Sequence, residues 1–264
     1  MAVSRAFPEV RTDRFTTCSN VPLYQRPMST SRSAGLPPLE ASVRSFLFLL
    51  VEDRIERGDG DELLPRWKNH RDVSVLRSLG YIEGTDRLTD KAFAAFFSTF
   101  DTITCPDEIQ RCMDELRITG IQWRRAKGVI LQRIRHAHGH GMTFPLAMTI
   151  FVRDGAALPT WYHELGHITF QSIKEDRGSI ARLLASAMAS FPVKSSSEIK
   201  DAPGITEGSY MLIDGRYLGL DHSGMDAVED EIWAVVFERY HCGSPLPQNL
   251  LRIVEDIIGS ITAR

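Results

Sequence analysis

The stretch W-Y-H-E-L-G-H-I-T-F occupies residues 161–170. On a helix, residues four apart lie one turn above each other, so His163 and His167 share a face. Two neutral imidazoles placed in this way can each give a nitrogen to one Zn²⁺ ion. Glu164 lies one residue round from His163 and borders such an ion without being forced to ligate it. That position suits a general base that takes a proton from zinc-bound water, whose pKa the metal lowers to roughly 7. The same spelling also arises by accident on ordinary helices, so its surroundings carry the decision. The flanking Trp161, Tyr162, Leu165, Ile168 and Phe170 are uncharged, as a helix buried beneath a cleft requires. Ala147 to Val152 is an apolar, β-branched run stopped by Asp154-Gly155, which predicts a preceding strand. Pro159 is placed to start the helix, where its missing N–H would be unpaired in any case.

Two histidines leave a catalytic zinc one protein ligand short, since such sites usually have three plus water. The candidate stretch for the third is M-D-A-V-E-D-E-I-W-A-V-V-F-E-R-Y, residues 225–240. On this helix Glu229 shares its face with the bulky Trp233, Val236, Phe237 and Tyr240, whereas Glu231 shares its face with Ala227, Val228, Ala234 and Val235. A ligand helix must approach the active helix closely, which favours the small side and Glu231. Glu229 and Asp226 stay open as alternatives. Glu229 and Asp230 also suit a solvated acidic helix start that complements the helix dipole.

Y-H-E-L-G-H-I-T-F resembles the active-site helix of the zincin metallopeptidases. The order of helix, strand, active helix and later acidic helix is similar to that of their catalytic domain. Metzincins extend the motif with Gly and His at positions that here hold Phe170 and Ile173, so that subgroup is excluded. Gluzincins, whose third ligand is a downstream Glu often followed by Ala and an aromatic residue, remain. E-I-W-A-V-V-F matches that pattern, so the resemblance implies Zn²⁺ held by His163, His167 and Glu231, with Glu164 activating water. Many relatives place a second acid four residues after the ligand to hold a zinc histidine. Here that position is Val235, so the partner must come from elsewhere. His222 and Tyr217 are the candidates for stabilising an oxyanion.

The bulk composition bounds what else the chain does. Apolar residues make up 43% and charged residues 25% of 264, the proportions of a globular protein. A net charge of −3 gives no overall reason to expect nucleic acid or an anionic membrane as partner. The longest apolar run, Phe46 to Val51, is far too short to span a bilayer. Cys18, Cys105, Cys112 and Cys242 are scattered without a Cys-x-x-Cys pair, which suggests free thiols in a reducing compartment. With no secretory signal the expectation is a cytoplasmic protein.

Residues 1–37 are rich in Ser and Thr and hold five Arg against two acids, Glu9 and Asp13. They are expected to be a disordered leader. The other reading is an address, either an organelle transit peptide or the uncleaved leader of an injected bacterial effector.

Residues 38–103 predict a small helical domain. Val43, Phe46, Leu47, Leu50 and Val51 have helical spacing, and Thr89 is placed to cap a helix from Asp90 to Phe97. The run S-V-L-R-S-L-G-Y-I-E-G-T-D-R-L-T-D-K-A-F-A-A-F resembles the helix–wing–helix segment of winged-helix domains. Eleven acids against nine Lys and Arg between Glu40 and Lys91 make a poor footprint for phosphates, so protein docking is favoured over nucleic acid.

Residues 104–264 carry the chemistry. Helices are expected from Asp107, from about Ile121 to Arg135, over Ala227–His241 and over Gln248–Ile261, with a hairpin around Asp214-Gly215. In the second of these, Arg124, Arg125, Lys127, Arg133 and Arg135 form the wet face opposite Ile121, Val129, Ile130 and Ile134. His136, His138 and His140 alternate and are read as exposed loop histidines over a second metal site. The whole predicts an α+β fold with a zincin-like catalytic domain behind a winged-helix-like one. The function it implies is zinc-dependent hydrolysis of peptide bonds in a specific protein or peptide substrate. The alternative is a regulatory or binding protein that uses the winged-helix-like domain, with a non-catalytic zincin scaffold.

Overall fold

Helical spacing of apolar residues builds the first element, α1 (Ala41–Arg57), which buries Val43, Phe46, Leu47, Leu50 and Val51. The computed structural model describes residues 39–57, 63–84, 86–136, 139–199, 209–213, 216–219 and 225–263. After α1 come α2 (Pro65–Lys68), α3 (Arg71–Ser78), an antiparallel hairpin of β1 (Ile82–Glu83) and β2 (Arg87–Leu88), and α4 (Asp90–Phe97). Thr89 stands at the start of α4 but does not cap it. Its hydroxyl instead donates to the carbonyl of Gly80 at 2.8 Å and ties the helix start to the end of α3.

α5 (Asp107–Glu115) opens with the acids expected at a positive helix end. The next segment corrects the sequence reading. Residues expected to start a helix at about Ile121 form a strand, β3 (Gln122–Arg125), and the helix α6 (Gly128–His136) begins only after it. Trp123 is buried against Trp161, and the segment pairs in parallel with Thr149–Val152, which makes it extended rather than helical. Gly128, the first residue of α6, takes up the left-handed backbone with φ +54°. Arg124 and Arg125 therefore lie on a strand, and Ile121 is no part of the buried face that Val129, Ile130 and Ile134 give to α6.

β4 (Gly141–Phe144) and β5 (Thr149–Val152) complete a three-stranded sheet in the order β3-β5-β4, with β3 parallel and β4 antiparallel to β5. β5 is buried along its whole length because both faces are covered. Ile150 and Val152 enter the core beneath α7 (Leu158–Ile173). Phe151 enters a second core made with α1, α3, α4 and α6. Residues 43–100 thus share one hydrophobic core with Ala126, Val129, Ile130, Ile134, Met142 and Phe151.

α8 (Arg177–Ser190) follows, then a second sheet of β6 (Val193–Ser195), β7 (Ser209–Ile213) and β8 (Arg216–Gly219) in that order. β7 and β8 are the expected hairpin, and β6, α8 and β4 went unread in the sequence. α9 (Met225–His241) packs along α7, and α10 (Gln248–Thr262) closes the far side through Leu250, Val254, Ile257 and Ile261. The architecture is α+β, and among the described residues no helix is long and apolar enough to cross a membrane.

Candidate metal centre

The candidate site is formed where α7 crosses α9. These helices approach unusually closely at Gly166, where a Cβ would lie 2.8 Å from Cα of Ala234. Ala234, on the small side of α9, therefore faces α7, as the sequence pattern suggested. Trp233 and Phe237 are buried at 0% exposure, and Trp233 donates its indole N–H to the Thr169 hydroxyl at 2.7 Å. That bond links α9 to the turn of α7 beyond His167.

This close approach brings His163, His167 and Glu231 into one group able to hold a metal ion, with one ligand atom from each lying within 4.8 Å of the others. Nε2 of His163 is 3.6 Å from Oε2 of Glu231, and Nε2 of His167 is 3.7 Å from Oε1. The imidazole rings stand nearly perpendicular, at 85°, with centroids 4.9 Å apart. Glu231 is 2% exposed and His163 8%.

The opposite nitrogen of each imidazole faces another carboxylate of α9. Nδ1 of His167 lies 2.9 Å from Oδ1 of Asp230, and Nδ1 of His163 lies 3.3 Å from Oε2 of Glu238. These are the histidine partners missing from position 235. Glu238 is seven residues past Glu231, two turns along the same face, a spacing that the sequence already contained. Asp230 was read as part of a solvated acidic helix start, and the structure corrects this. Both Glu229 and Asp230 are buried, because α9 begins a full turn earlier and α7 and α8 cover it. Glu229 turns away from the histidines and accepts from Arg177 at 3.2 Å.

Burial and charge act in opposite directions on the histidines. Burial alone would lower the pKa of His163, but its contacts with Glu231 and Glu238 outweigh this and push it up to about 10. Burial likewise opposes charge on His167, and Asp230 and Glu231 push it up to about 9. For Glu164 burial dominates and raises the pKa, while His167, His163 and the Thr143 hydroxyl pull it down. The site thus gathers Glu164, Asp230, Glu231 and Glu238 around two imidazoles. Even with both imidazoles charged, four carboxylates leave a negative surplus that a bound cation would offset. A divalent metal ion fits that donor set and that charge.

Glu164 is 6% exposed and is held by β4 rather than by α9. The Thr143 hydroxyl donates to its Oε2 at 2.6 Å. The sequence reading missed both Thr143 and its neighbour Gly141, having seen only a histidine-rich loop there. Of that loop, His140 is exposed, while His138 and the side chain of His136 lie outside the described residues. The side chains of Asp226 and Tyr217, and all of His222, also lie outside them, as do residues 1–38 with Cys18. Cys105, Cys112 and Cys242 are free thiols. In the N-terminal helices, Arg57 and Arg66 pair with Asp53, and Arg77 and Lys68 pair with Asp86. No family model, curated protein or solved structure matches the chain.

Proposed function

We propose that the chain is a zinc-dependent metallopeptidase of the gluzincin type, acting on a specific protein or peptide substrate. The observation that carries this is the meeting of His163, His167 and Glu231 from two different helices, with Glu164 beside them. Two imidazoles and one carboxylate are the donor set of catalytic zinc sites, which leave a fourth position open. In this reading residues 104–264 form a zincin-like domain and residues 38–103 a winged-helix-like one joined to it through the shared core.

When bound, zinc would supply Lewis-acid polarisation of the scissile carbonyl and a lowered pKa for an attacking water. The chain's own residues do the rest. Asp230 holds Nδ1 of His167, which would fix its tautomer and turn Nε2 toward Glu231, while Glu238 lies against Nδ1 of His163 and backs that ring. Glu164 takes a proton from water at its carboxylate and passes it to the leaving amine nitrogen. Burial keeps that carboxylate's pKa above its ordinary value, so it is a better base than an exposed glutamate.

Metal analysis of purified wild type, His163→Ala and Glu164→Gln tests the reading, with hydrolysis of a peptide library as the second readout. About one zinc per chain is expected in wild type, lost in His163→Ala and kept in Glu164→Gln, with hydrolysis lost in both. A wild type that takes up no metal sinks the proposal. Metal held without hydrolysis of any peptide favours the non-catalytic alternative.

A further inference from the structure

Glycine inside a strand weakens it, because it adds entropy to the unfolded chain and leaves no side chain to pack. Gly141 opens the edge strand β4 with an ordinary backbone, since it is not among the positive-φ glycines. Its conformation therefore does not call for glycine. The space beside it does. A Cβ at position 141 would lie 2.6 Å from both Cγ and Oε1 of Glu164, and 2.8 Å from Cδ.

Two residues along, and so on the same face of the strand, Thr143 is 5% exposed and gives its hydroxyl hydrogen to Oε2 of the same carboxylate. The intervening Met142 points the other way, into the second core. One face of β4 thus meets Glu164 twice, once with a vacated Cβ and once with a donor.

We infer that Gly141 and Thr143 are positioning residues forming a seat that fixes the Glu164 carboxylate next to the metal group. The inference rests on the reading of Glu164 as the general base. Gly141 admits the carboxylate against the strand, and Thr143 fixes its rotation by binding one oxygen. The Thr143 bond engages Oε2, while Oε1 lies against Gly141. The chemistry of the base is therefore set by a strand, while α7 and α9 set the metal ligands. A valine at position 143 preserves the shape but removes the donor, whereas a serine preserves the donor.

The test uses the full chain loaded with Co²⁺, whose visible spectrum reports on its ligands, and titrates it with acetohydroxamate. This probe chelates a bound metal and gives up a proton to a neighbouring carboxylate, so its affinity reads the placement of Glu164 without any substrate. Thr143→Val is expected to weaken the probe by about tenfold or more, approaching Glu164→Gln. Thr143→Ser stays close to wild type, and Gly141→Ala weakens it because the carboxylate must turn away. Metal loading stays at about one ion per chain in all four variants.

Thr143→Val indistinguishable from wild type overturns the seat, as does a serine variant as weak as the valine one. A wild type that takes up no Co²⁺ overturns the metal-centre reading itself, and the seat with it. Full loading with no effect of Glu164→Gln overturns Glu164 as the base.

Discussion

Replacing Gly166 with alanine tests whether the separation of α7 and α9 sets the metal centre. The added Cβ would sit 2.8 Å from Cα, 3.3 Å from Cβ and 3.4 Å from the carbonyl oxygen of Ala234. Carbon atoms are comfortable at about 3.5–4.0 Å, so the two helices must part by about 0.7 Å. Alanine is favoured over glycine in a helix interior by about 1 kcal/mol, and overpacking costs about 1–3 kcal/mol. The metal-free protein is therefore expected to range from unchanged to about 2 kcal/mol less stable.

The site should suffer more than the fold. Glu231 rides on α9 three residues before Ala234 and faces the two histidines of α7. Metal–ligand distances tolerate only about 0.2 Å, so a 0.7 Å separation leaves Glu231 out of reach. Zinc affinity, measured by competition with a chromophoric chelator, should fall by about tenfold or more. Gly259→Ala is the control, since that Cβ meets nothing within 4 Å and stability should hold or rise. A Gly166→Ala protein with wild-type zinc affinity and wild-type denaturant unfolding would refute the reasoning.

Two further outcomes follow from neighbouring contacts. Asp230→Asn and Glu238→Gln should each weaken zinc binding by about 10- to 100-fold while leaving the ligands in place; unchanged affinity in both would mean that the carboxylates do not orient the histidines. His241 stacks on Tyr162 and lies 3.7 Å from Sγ of Cys112, and burial holds its pKa down at about 4 against an ordinary 6.5. Burial raises the Cys112 thiol to about 12, and it raises Tyr162 and Cys242 too, so these neighbours do not titrate in acid. The unfolded chain takes up the histidine proton as pH falls below 6.5, and the folded chain resists until about 4. Stability at this position is therefore complete above 6.5 and is lost progressively towards 4. His241→Phe should show a smaller fall in Tm between those pH values than wild type, and an equal fall would count against the buried neutral imidazole.

Much of the metal group was legible because its rules are local. The i, i+4 spacing of His163 and His167 needs only a helix, and the choice of Glu231 needs only the difference between the small and bulky sides of α9. The helix α1 and the β7–β8 hairpin were readable for the same reason, since period and turn residues suffice. β3 was not, because Ile121, Val129, Ile130 and Ile134 also fit a helical period, and only pairing with β5 makes Gln122–Arg125 extended. Asp230 and Glu229 were misplaced because the solvation of an acid depends on what covers it, and α7 and α8 lie far away in the sequence.

The amino-acid sequence by itself determined which side chains share a helix face, and with that the pair of histidines and the acid between them. Only the tertiary structure decided what surrounds them: Asp230 and Glu238 behind the imidazoles, Gly141 and Thr143 beneath Glu164, and α9 pressed against Gly166. The physical reason is range. Helical periodicity acts over a few residues, whereas a buried charge is settled by whichever distant groups the fold brings within a few ångströms.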